Sequence, residues 1–239
     1  MNKKKIYKII IKLIAGLVLV IYITAAGIIM GSKTVKASSM TNAKYTTEYK
    51  IDNTKNINST NTIAMAVEKE MNLMSGLEQI GKIYNFKDIK FLKFIHDMEK
   101  KVGLPKHELM GLINGESRFV NESRIEKDGI VSYGCCQMRI GTATDAYKKI
   151  QPILKETGIK LQPPTESLLK NNREYTVKFT ACYLKYLHEL HPNQLQALTA
   201  YNAGIGSTIR FKSRDYKYSY TIMIQERITE FASIIGEFY

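Results

Sequence analysis

The residue whose type and position promise chemistry most clearly is Glu116. Leu109, Leu112, Ile113 and Glu116 fall at i, i+3, i+4 and i+7, the spacing that lays side chains along one stripe of a helix. Three of the four are apolar, so the stripe faces a core and draws the carboxyl at its end out of water. Burial disfavours the charged form of a carboxyl, and the negative end of the helix dipole acts in the same direction. The pattern therefore predicts that Glu116 holds its proton near neutral pH, as general-acid cleavage of a glycosidic bond requires. A structural role competes with this reading, since pairing with a cation such as Arg118 would also account for a carboxylate at that place.

The elements that must hold Glu116 in position are mostly helical. Thr62 caps an amphipathic stretch from Ile63 to about Tyr84, and Asp88 caps another that ends at Gly103, a C′ glycine. Pro105 opens the next helix in its first turn, where a missing N–H costs nothing. Helices are predicted at about 105–116, 141–157, 174–190, 194–203 and 219–236, with loops at 120–134, 158–172 and 204–218. Strand signals are confined to a short hairpin around Asp128-Gly129, so the domain is mainly α with at most a small β element.

Ahead of that domain the chain changes character. Lys3, Lys4, Lys5, Lys8 and Lys12 precede an uncharged stretch from Leu13 to Met30, which as a helix would span about 27 Å, close to a bilayer core. It reads either as a signal-anchor transmembrane helix or as a signal peptide cut after Ala37. Both export the remainder, and the lysine excess keeps the amino terminus inside. Residues 38–61 are polar, rich in Asn, Thr, Ser and Lys, and read as a linker. The organisation expected is therefore a leader over 1–37, a linker over 38–61, an accessory amphipathic helix over 62–85 and a compact domain over 86–239.

The formal charge of +13 shrinks once the leader is removed. Seven of the 35 basic residues lie in residues 1–37 without an acid, which leaves 28 against 22 and a net of +6. No basic stripe with interleaved aromatics remains, so a nucleic-acid partner is not expected. Cys135, Cys136 and Cys182 read as free buried thiols or as a bridge from one of the adjacent pair to Cys182. No CxxC pair or HExxH helix is present, and His188 and His191 read as a solvated helix end, so neither metal nor cofactor is expected.

Several segments in order resemble one known family. Glu116-Ser117-Arg118-Phe119 resembles the ESRF signature of soluble lytic transglycosylases; Ser132-Tyr133-Gly134-Cys135-Cys136-Gln137-Met138 is similar to their S-x-G-L-M-Q-I segment, followed by Thr142-Ala143. Ala200-Tyr201-Asn202-Ala203-Gly204 with Gly206 matches their AYNAG-x-G motif, and Tyr220 begins a segment like their Y-V-x-K-V. The resemblance implies a lysozyme-like helical fold related to goose-type lysozyme. It implies peptidoglycan glycan strands as substrate, with Glu116 as the single catalytic carboxylate. Glu116 would protonate the bond from N-acetylmuramic acid to N-acetylglucosamine and then act as base on the muramyl 6-hydroxyl, leaving a 1,6-anhydro end. The matching tyrosine, Tyr201, would support Glu116, with Ser117 beside it.

The residue chemistry suits those roles. Glycine at Gly134 lets a sugar approach the backbone closely, and Gln137 offers an amide that donates and accepts. Tyr201 and Asn202 end a helix stopped by Gly204, where they project into a groove. Ser132, Cys136 and Tyr220 complete the expected substrate-binding set. The chain departs from the family where Cys135-Cys136 replaces Leu-Met, Ile140 replaces a proline and Thr176 an asparagine; Cys136 is smaller than the methionine that lines the family's cleft, though also soft and apolar. Two other readings stay open. A hydrolytic muramidase would need a second acid to position water, with Glu126 or Asp128 as candidates, and a non-catalytic wall-binding or scaffold protein would need none. Membrane attachment through the leader, and a role opening the wall for a secretion or conjugation apparatus, complete the expected partners.

Overall fold

The computed structural model describes residues 53–206 and 219–236. The leader over 1–37, with its two fates, and most of the linker lie outside those residues. Contacts divide the chain into Met1–Ile51 and Asp52–Tyr239, and the second unit is the one described below. Among the described residues no helix is long and apolar enough to cross a membrane.

Helix α1, Asn53–Ile83, starts ahead of the cap expected at Thr62, so the polar linker is shorter than 38–61. Adding residues to a formed helix costs far less than nucleating one, which lets a polar sequence continue a helix anchored further along. The anchor is the carboxyl half of α1. Leu73, Leu77 and Ile80 are buried, and a Cβ on Gly76 would lie 3.1 Å from the Ile235 Cα. The accessory helix is thus one wall of the domain.

Helix α2, Ile89–Val102, has both ends that its sequence signals: Asp88 accepts from the Phe91 amide and Gly103 closes it at φ 71°. Helix α3, Glu108–Ser117, starts later than Pro105 implied. Pro105 instead opens a turn whose carbonyl accepts from the Glu108 amide at 3.2 Å. The cap comes from outside, because Glu99 of α2 accepts the amide hydrogens of His107 and Leu109 at 2.6 and 2.8 Å. His107 adopts a left-handed φ of 64° to present its amide.

Three short strands follow, β1 Arg124–Ile125, β2 Val131–Tyr133 and β3 Met138–Arg139, antiparallel in that order. The first turn is the one expected at Asp128-Gly129. The second, Gly134 to Gln137, carries the chain back into helix α4, Ile140–Lys149. The single helix expected over 141–157 is two, since Pro152 starts a new one, α5, Gln151–Thr157. A short helix α6, Glu166–Asn171, capped by Thr165, occupies part of the loop expected over 158–172; six residues are too few to show a period. Helices α7 Arg173–Leu190, α8 Gln194–Ala203 and α9 Ser219–Ile235 lie where they were expected.

The architecture is mainly helical with a small sheet, as the sequence implied. Helix α7 runs through the core with Val177, Phe179, Ala181, Cys182, Leu184 and Leu187 fully buried. All three cysteines are buried and free, so the bridged alternative is not formed. His188 is no solvated helix end: its Nε2 meets Glu108 Oε2 at 2.7 Å.

The contact that matters most for the site is α9 on α3. Tyr220, Ile224 and Ile228 recur every four residues along one side of α9 and face Gly111 and Gly115 of α3. A Cβ on Gly111 would sit 2.8 Å from Ile228 Cγ1, and one on Gly115 2.3 Å from Ile224 Cδ1. Bare glycines let the two backbones approach. The first turn of α9 thereby comes to rest against the last turn of α3.

Candidate active site

Glu116 ends the buried face of α3 and is itself half-buried. Tyr220 Oη donates to its Oε1 at 2.6 Å. Burial, reinforced by the nearby charge of Glu126, pushes its pKa up from 4.5 to about 7, against the Tyr220 hydrogen bond and the Arg124 charge, which pull it down. Arg118 does not supply the partner; it is exposed and closes α3 at φ 54°.

Arg118 and the next residue, Phe119, both take left-handed φ values, 54° and 68°. Such residues cost about 1–3 kcal/mol each, and here the aromatic burial offsets it: Phe119 is 1% exposed and stacks with Phe231 at 6.2 Å between ring centroids. The turn sends the chain back along α3, so that Arg124 Nη1 donates to the Glu116 carbonyl at 3.0 Å. That carbonyl is one of those a helix end leaves without an internal partner. The other nitrogens of Arg124 bind Glu122.

The turn from Gly134 to Gln137 is held on every side. Ser117 Oγ donates to the Cys135 carbonyl at 2.7 Å, and Tyr201 Oη to the Cys136 carbonyl at 2.8 Å. Asn121 Oδ1 accepts from the Cys135 amide at 3.1 Å. Gln137, at φ 48°, donates from Nε2 to the carbonyls of Gly134 and Glu122 at 2.8 and 3.0 Å. Gly134 is a glycine because a Cβ would lie 2.5 Å from the Leu169 carbonyl oxygen; the close approach is to protein backbone. Tyr201 braces the turn, and the tyrosine that touches Glu116 is Tyr220, delivered by the α9 contact.

An open cleft gathers Glu116, Ser132, Gln137, Tyr201 and Asn202 of the expected set from separate elements, and adds Glu126, Met138, Arg139 and Thr142. The strand register could have flagged one of these, because Arg139 lies opposite Ser132 in the ladder and so shares its face. Ser117 and Cys136, 3% and 0% exposed, do not reach the cleft surface. Cys136 takes part through its carbonyl, and burial raises its thiol pKa. Asp128 is outside the cleft: it binds Arg139 at 2.7 Å and the Ile130 amide at 3.1 Å. Of the two acids that might position water, Glu126 is the one lining the cleft.

The family model for the transglycosylase SLT domain matches residues 93–224. Among solved structures, the X-ray structure of an inactive mutant of the lytic transglycosylase Slt from Pseudomonas aeruginosa is similar at 22% identity and a TM-score of 0.41. The match covers 64% of this chain and 23% of that one, so the chain spans about a quarter of that protein's length. No curated protein sequence matches the chain significantly.

Proposed function

The chain belongs to the transglycosylase SLT domain family, and from that premise we propose that it is a peptidoglycan lytic transglycosylase using Glu116 as its one general acid and base. Protonated Glu116 gives its proton to the oxygen joining C1 of N-acetylmuramic acid to N-acetylglucosamine. The carboxylate left behind takes a proton from the 6-hydroxyl of the same muramyl unit, whose oxygen closes on C1. The β-1,4 bond is broken, a 1,6-anhydro end is formed and no water is consumed.

The observation that carries this reading is a half-buried carboxyl with a pKa of about 7 in a polar cleft. A group titrating there serves as acid and as base in one turnover. The Tyr220 hydroxyl favours the charged form and so stabilises Glu116 after the proton has left. Ser132 and Asn202 supply polar groups that sugar hydroxyls and acetamido groups need, while the Gln137 amide, expected to share that task, spends its hydrogens on the Gly134 and Glu122 carbonyls. Ser117, Gly134 and Cys136 act on substrate through the shape of the turn they build, and Tyr201 both braces that turn and lines the cleft. The substrate places the domain outside the cytoplasm, delivered by the leader either as an anchor or as a cleaved signal. Such a protein suits local opening of the wall, including for a secretion or conjugation apparatus.

A hydrolytic reading has one observation in its favour. Glu126 lines the same cleft and acts on Glu116 through its charge, and a carboxylate there could orient water. Mass spectrometry of muropeptides released from purified peptidoglycan by the full chain, beside Glu116→Gln, separates the cases. Anhydromuramyl products that vanish in the variant are expected. Reducing-end products would transfer the assignment to a muramidase using Glu126, and no products from either protein would leave a wall-binding role.

A further inference from the structure

The sheet beside the cleft carries a charge pattern that the mechanism leaves unused. Register pairs Arg124 with Ser132, and Ser132 with Arg139, so the three side chains form one row across the strands on one face. Ser132 lines the cleft, which sets the face. The two arginines are differently employed. Arg124 is fully engaged, with Nε and Nη2 on Glu122 and Nη1 on the Glu116 carbonyl. Arg139 makes a single ion pair, Nη1 to Asp128 Oδ2 at 2.7 Å, with both side chains well exposed, 37% and 48%.

Among the described residues lining the cleft Arg139 is the one cation, and it shares that lining with the carboxyl groups of Glu116 and Glu126. An anionic strand would meet Glu126 as a like charge unless a cation stood beside it. Asp128 is held by its own hairpin through the Ile130 amide, so it fixes one edge of the guanidinium and leaves Nε and Nη2 for a second acceptor. A planar fork with one edge anchored and the other open is suited to a carboxylate.

We propose that Arg139 is a specificity-determining residue that binds a carboxylate of the muramyl strand and so selects muramyl glycan over neutral chitin-like chains. The acid is either the lactyl carboxylate of peptide-free glycan or one carried on a stem peptide. This rests on the peptidoglycan reading above, and its test is kept separate from turnover.

Titration calorimetry on the full chain carrying Glu116→Gln measures binding without cleavage. Three probes are compared, with Arg139 intact and with Arg139→Gln: peptide-free glycan strands, peptide-bearing strands and neutral chitotetraose. Losing the charge-assisted pair should weaken binding of an acid-bearing strand about tenfold, and leave chitotetraose within about twofold. Whichever acid-bearing probe loses more identifies the carboxylate. Arg139→Lys should recover part of the loss, since charge returns without the fork; with Glu116 present, the defect should appear in KM. Equal weakening of neutral and acidic probes, no change in either, or no binding of any acid-bearing strand would each overturn the proposal. Absence of cleavage by the unmodified chain, with Arg139-dependent binding preserved, would sink the transglycosylase reading and leave this one standing.

Discussion

At the amino end of α3, Glu99 is fully buried and accepts amide hydrogens from His107 and Leu109 at 2.6 and 2.8 Å. At the carboxyl end Glu116 is half-buried and accepts one hydrogen bond, from Tyr220 at 2.6 Å. Burial raises both pKa values, to about 8 and about 7. Judged on acidity alone, Glu99 would be the better proton reservoir. Its oxygens, however, are taken by the backbone at the start of the helix it caps, and it is 0% exposed. Glu116 keeps one oxygen for a substrate and faces open space. A displaced pKa thus marks a buried carboxyl, and only the donors around it and access to it separate a cap from a catalyst.

The largest effect should come from the catalytic end. Glu116→Gln should cut glycan cleavage at least about a thousandfold, with the far-UV circular dichroism unchanged. The contrast breaks if Glu99→Gln, still folded, is equally dead. At the other end, Glu99→Ala takes the carboxylate acceptor from the buried amides of His107, Leu109 and Met110, and urea unfolding should show a loss of about 2–4 kcal/mol. Tyr220→Phe should lower kcat/KM about tenfold. Because its hydroxyl favours the charged carboxylate, removing it should also move the alkaline limb of the pH–rate profile above 7; a drop in rate without that shift would reduce Tyr220 to a packing role. The smallest effect is on stability against pH. Between 4.5 and about 7 the unfolded chain gives up the Glu116 proton while the folded chain keeps it, so stability falls as pH rises through that window. Glu116→Gln should therefore become more stable relative to the parent by on the order of 1 kcal/mol from pH 4.5 to 7, read from melting curves at both ends.

What the sequence disclosed about this contrast was uneven. The stripe ending in Glu116, the caps at Asp88 and Gly103 and the turn at Asp128-Gly129 are local signals, and each appears where its residues put it. Glu99 gave no such signal, because its role depends on α2 delivering it to a helix start eight residues away, past a proline that seemed to open the helix itself. Tyr220 was found by motif, yet its contact depends on Gly111 and Gly115 admitting α9, a tertiary fact. Gly134 was read as room for sugar, when the neighbour demanding room is Leu169, thirty-five residues on. Arg139 was missed because its place follows from strand register, which two-residue strands do not reveal in sequence.

The docking of α9 also bears on when the protein becomes competent. Tyr220 lies 104 residues after Glu116, and a chain is synthesised from its amino end. The acid is therefore made long before the hydroxyl that grips it, and the nascent polypeptide passes through an interval in which its proton donor has no partner. A chain stopped before Ser219 should lose far more glycan cleavage than Tyr220→Phe does, because it also lacks Ile224, Phe231 and Ile235, which α9 buries in the core. The order of the sequence acts as a delay, so that the ability to cut arrives only once α9 has left the ribosome.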